Sequence, residues 1–154
     1  MKNPVEIKKL AYERLNEAKI LCDASKYDGA FYLAGYSIEL MLKAKVCEQM
    51  GIDNLFDFDE KKFSTHGVSD IRQALKTHDI AVLLMLSGLK IKFDKAKIDN
   101  QVLFKTSALL FESSGKCLWN EQMRYQLNSQ NADNVQVLIE LLDHEKGLLK
   151  WIAE

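Results

Sequence analysis

The sequence predicts an all-α fold, an up-and-down bundle of about five helices, and three observations carry that prediction. Apolar residues recur at three- and four-residue spacing near both ends of the chain. Between Ala30 and Leu42 apolar or small residues fall on nearly every side of a helical wheel, which is how a helix surrounded by other helices reads. No strand-like alternation bounded by turn residues stands out, and Pro4 is the only proline.

The elements follow in order. Asn3 can cap a helix whose first residue is Pro4, with Glu6 at its third position as in a capping box. Ile7, Leu10, Ala11, Ala18, Leu21 and Cys22 form its apolar face, and it ends near Ala24. Residues 25–29 turn into the central helix, with Ser25 or Asp28 as candidate cap. Ala30, Ala34 and Gly35 lack bulk and would let a neighbouring helix approach closely. Gly51 supplies a stop, and residues 52–65 read as a long loop that His66 ends. Val68, Ile71 and Leu75 have helical spacing, with a break near residues 77–79, after which Asp79 can cap the next segment. AVLLMLSGLKIKF is a buried helix, or a short helix followed by an extended turn, and KFDKAKIDN is a polar connector or helix start. Leu103, Phe104, Ala108, Leu110 and Phe111 give another helix, which ends by residues 113–115. Residues 119–131 are irregular. Ser129 or Asn131 can then cap one long last helix whose inward stripe is Val135, Leu138, Leu142, Leu149 and Ile152.

At 154 residues the chain fits one domain with a substantial core. A net charge of −1 argues against holding duplex DNA through many phosphate contacts, since that affinity comes from neutralised phosphates; any nucleic-acid contact must be local. Cys22, Cys47 and Cys117 are odd in number and widely spaced, which suggests reduced, mostly buried thiols rather than a disulfide framework or a zinc site. No metal site or cofactor is expected, because phosphate loops, nucleophile elbows and His-Glu-x-x-His spacing are all missing. The charged N-terminus and the lack of any run of ~20 apolar residues point to a cytoplasmic protein without a membrane span.

Candidate chemistry begins in the central helix. Tyr32, Tyr36, Glu39 and Lys43 stand at i, i+4, i+7 and i+11, one stripe along one face. The bland reading is an ordinary Glu39–Lys43 ion pair. Arg72 and His78 form an arginine–histidine pair that could converge only across a helix break or a dimer seam, since six positions at about 100° each leave them about 120° apart on one helix. Around Trp119 lies a second set. Arg124 suits a phosphate or carboxylate, Trp119 and Tyr125 suit base stacking, and Glu121 suits hydrogen bonding. The bland alternative makes Trp119 and Tyr125 core edges and pairs Arg124 with Glu39.

AYERLNEAKIL, YDGAFYLAGYSIELMLKAKVCE, the segment around Thr65 and His66, and Trp119 with Arg124 and Tyr125 together resemble the HEPN domain family. The resemblance covers most of the chain. It implies a small helical bundle that commonly pairs as a homodimer and binds nucleotide or RNA. In some members an arginine followed after four to six residues by a histidine cleaves RNA without metal, often as the toxin of a toxin–antitoxin pair with an antitoxin or nucleotidyltransferase partner. The candidate catalytic residues are then Arg72 with His78, or Arg124 with His66. No histidine follows Arg124 within seven residues, and Asn128 stands where one would be expected. An amide cannot exchange a proton at neutral pH. Binding at Tyr36, Glu39, Lys43, His66, Trp119, Glu121, Arg124 and Tyr125 is therefore expected ahead of catalysis, with the metal-independent endoribonuclease as the alternative.

Overall fold

The computed structural model describes residues 3–56 and 68–154. Among these the secondary structure is helical, with a single antiparallel bridge between Phe111 and Cys117. Asn3 opens α1 (Pro4–Asp23) as its capping residue, its side-chain oxygen accepting from the Glu6 N–H at 2.9 Å. Leu15 joins Ile7, Ala11, Ala18 and Cys22 on the buried face of α1. The turn that follows places Ser25 in the left-handed region, with φ 59°. Neither Ser25 nor Asp28 caps α2 (Tyr27–Met50); Lys26 occupies the cap position without a side-chain bond. Asp28 has another task, described below.

α2 is the axis of the molecule. Residues 37–44 are all buried, so apolar residues on every side of the wheel meet protein on every side. α1 packs against it more extensively than any other element. Lys8 reaches Glu48 at 2.6 Å near one end, and Leu21 lies against Gly29 near the other, so the two helices run antiparallel. Gly51, at φ 64°, stops α2 as expected: an L side chain there would be strained, and the N–H of Ile52 reaches back to the Cys47 carbonyl at 3.1 Å.

The remaining bundle is more finely divided than five helices. α3 (Val68–Ala74) is followed by a connector, and Asp79 caps α4 (Ile80–Leu86) by accepting from the Ala81 and Val82 N–H groups at 2.8 and 3.3 Å. The stretch read as a polar connector or helix start is a helix, α5 (Lys90–Asp99), which buries only Phe93. Asn100 then caps α6 (Gln101–Leu110). The long last helix is two: α7 (Ala132–Asp143), capped by Asn131, and α8 (Leu148–Ala153). Gly147 forces the division. A Cβ on it would stand 2.3 Å from the Leu141 carbonyl oxygen, so the chain turns there with its backbone pressed into the end of α7. The inward stripe continues across the break, because Val135, Leu138, Leu142, Leu149 and Ile152 all join the same core. No helix among the described residues is long and apolar enough to cross a membrane.

Candidate functional site

Glu39 organises the polar seam of α2. It is 1% exposed, and its Oε1 accepts from the Lys43 ammonium at 2.6 Å, the i, i+4 pair expected from spacing. The same oxygen lies 3.0 Å from His78 Nδ1, in the connector between α3 and α4. A carboxylate paired with an ammonium can only accept, so Nδ1 carries the imidazole proton. In the neutral ring Nε2 is then the acceptor nitrogen. The His78 side chain is 47% exposed, so a ring fixed at one nitrogen by a buried carboxylate presents its edge to solvent. Lys43 is itself closed in, with its ammonium 5.5 Å from the centre of the Phe56 ring. Oε2 of Glu39 is buried and has no hydrogen-bond partner among the described residues.

Tyr36 and Tyr32 continue the seam with their rings stacked 6.2 Å apart. Burial pushes the Tyr36 phenol above its ordinary value, and the Glu39 charge adds to that while Arg14 opposes it. Arg14, on α1, was not among the candidates read from the sequence. As one of the polar residues facing away from α1's apolar stripe, it gave no signal of its place near Tyr36.

A short 3-10 turn, Glu121–Tyr125, lies against α2 and carries the late-chain candidates. Asn120 caps it, accepting from the Gln122 N–H at 3.0 Å. Arg124 is exposed, its guanidinium 5.0 Å from the centre of the Tyr125 ring, and that ring is 72% exposed. The Glu121 carboxyl is held below its usual range by its own backbone N–H, then by the Gln122 amide and by the charges of His78 and Arg124, with desolvation opposing. His78, Glu121 and Arg124 therefore share one field. Glu39 joins the seam to His78, and the charges of His78 and Arg124 both act on Glu121.

The other candidates fare differently. Trp119 is 1% exposed and has no face for a base: its Nε1 donates to the Tyr32 carbonyl at 3.0 Å, and its ring stacks on Tyr32. Gly35 makes room for it, since a Cβ there would fall 2.1 Å from the indole; the small residue admits a side chain, not a neighbouring helix. Arg72 donates to the Asn54 carbonyl at 3.1 Å, tying α3 to the end of the α2 turn, while His78 turns to Glu39 instead. Arg124 is not the buried partner of Glu39, whose place is taken by Lys43 and His78. His66 and most of the 52–65 loop lie outside the described residues. Among the described residues no group of histidine, cysteine and acidic side chains could hold a metal ion. Comparison of the chain with protein-family models, curated proteins and solved structures found no match.

Proposed function

We propose that the chain is a HEPN-like helical domain that binds a nucleotide or the end of a single-stranded RNA along the edge from His78 to Tyr125. The observation that carries this reading is the Arg124 guanidinium over the exposed Tyr125 ring on a surface turn. A guanidinium lying over a ring keeps its N–H edge for a phosphate, and the other face of the phenol is open for a base. His78 adds a hydrogen-bonding group of fixed tautomer. Glu39 and Lys43 hold that group from beneath and stay out of ligand contact. The settings that the resemblance suggests are a homodimer in the cytoplasm, with an antitoxin or nucleotidyltransferase as partner.

A second reading, favoured by the Glu39–His78 bond, is a metal-independent endoribonuclease of a toxin–antitoxin or defence system. His78 Nε2 would take the 2′-hydroxyl proton while Arg124 offsets charge on the phosphate. One experiment separates the two. The purified protein is incubated in EDTA with a short end-labelled RNA, and both anisotropy and RNA integrity are followed. Saturable binding of intact RNA, weakened about tenfold (about 1.4 kcal/mol) by Arg124→Ala and by Tyr125→Ala, supports the first reading. Cleavage that disappears in His78→Ala establishes the second, and wild-type protein that neither binds nor cleaves removes both.

A further inference from the structure

α4, α5, α6 and the turn that follows α6 enclose a cavity of about 820 Å³ that no part of the site above uses. That volume falls within the range of small-molecule sites, roughly 300–1,000 Å³. Its floor is apolar: Leu84 and Phe93 are buried there, with Phe111 beside them. Its wall mixes polar Gln101 and Ser107 with apolar side chains, of which Ile98 is 76% exposed and Phe104 56% exposed. Two large side chains thus stand in water at the lip of a space they could share with an apolar guest, which would remove their surface from water.

Polar chemistry is concentrated at the mouth and differs from side to side. Lys90 and Lys97 both pair with Asp94, the second at 3.0 Å, so two ammonium groups share one carboxylate. Helix α5 as a whole carries four lysines and two aspartates, in a chain whose net charge is −1. The Lys97 ammonium lies 5.1 Å from the centre of the Phe93 ring, over the apolar floor. Glu112 also lines the cavity, and its carboxylate accepts from the Ser114 hydroxyl at 3.3 Å. An anionic head is therefore drawn to α5 and repelled from Glu112.

We propose that this cavity binds an apolar monocarboxylate of the medium-chain fatty acid class. Its head group sits on Lys90 and Lys97, and its tail runs across Phe93 and Phe104 toward Phe111. Trp151 supplies a reporter, because its ring lies 5.6 Å from that of Phe93. The test titrates potassium dodecanoate, kept below its micelle-forming concentration, into the purified protein, with tryptophan emission and amide chemical shifts as readouts. Dodecyltrimethylammonium serves as the charge-reversed control. The expected result is saturable binding of the carboxylate, with shifts confined to α4, α5, α6 and residues 111–115. Binding should weaken tenfold or more in the Lys90→Gln, Lys97→Gln double variant and vanish in Ala108→Trp, which fills an exposed position of the wall. Unchanged thermal melting of Ala108→Trp shows that it folds. Equal binding of the cationic detergent overturns the proposal, as does carboxylate binding that survives Ala108→Trp. So does sedimentation showing this face covered by a second copy that Phe104→Glu releases.

Discussion

At the residue scale, Glu39 holds two cations, one permanent and one conditional, with a single oxygen. Removing one partner of a buried pair strands the other charge, so Glu39→Gln should lower stability by about 3 kcal/mol, read as the urea midpoint. It should also release the imidazole, which ¹⁵N spectra would register as loss of the Nδ1–H tautomer of His78. A variant as stable as wild type with the tautomer intact contradicts this arrangement. The stripe of Tyr32, Tyr36, Glu39 and Lys43 was legible in the sequence because helical spacing alone places them on one face. The bond to His78 was not, since it depends on where the connector after α3 carries the chain. Trp119 was half legible. A glycine inside a buried helix signals close approach, but nothing local says that the visitor is an indole from 84 residues further on (119 − 35).

At the element scale, caps were more readable than lengths. Asn3, Gly51, Asp79 and Asn131 punctuate the chain with residue types whose side chain or backbone satisfies orphan helix groups. Asn100 escaped notice because it sits inside a lysine-rich run, and α5 was left open between connector and helix start: a ten-residue helix that buries one phenylalanine leaves no apolar period to detect. Asn100 accepts from the Val102 and Leu103 N–H groups at 3.0 and 3.2 Å, and its amide donates to the Lys146 carbonyl at 3.1 Å. Asn100→Ala should therefore cost about 1–2 kcal/mol by denaturant titration, the upper part of the range for a lost cap, because it also frees the turn between α7 and α8. Asn100→Asp, which keeps the acceptor but loses the donor, should recover roughly half. The last helix was read as one piece for the opposite reason. Its apolar spacing resumes in phase at Leu149 after the polar residues 143–146, and the close backbone approach at Gly147 is not visible in that spacing.

At the scale of the whole molecule, the all-α class followed from the absence of alternation, while the number of helices depended on packing that periodicity does not encode. The core also stores protons. Burial pushes the thiols of Cys47 and Cys117 up to about 11, and it raises the Tyr12 and Tyr36 phenols above their ordinary value. An unfolded thiol loses its proton near pH 8.5. Between about pH 9 and 11 the unfolded chain therefore binds fewer protons than the folded one, and stability must fall as pH rises through that window. Urea midpoints measured under reducing conditions at pH 8 and pH 10.5 should show the drop. It should be shallower, from a lower starting point, in the Cys47→Ala, Cys117→Ala double variant; an equally steep decline would place the stored protons elsewhere.

Asp28, in the first turn of α2, accepts from the N–H groups of Ser129 and Gln130 at 3.0 and 2.9 Å with one oxygen, and from the Ser129 hydroxyl at 3.2 Å. Since a ribosome issues the chain from its amino end, this clasp cannot shut until about a hundred further residues have emerged. α1 can cover α2 as soon as both have emerged, but the side of α2 that α7 and the 3-10 turn cover must wait that long. A stall near codon 120 would leave that side bare.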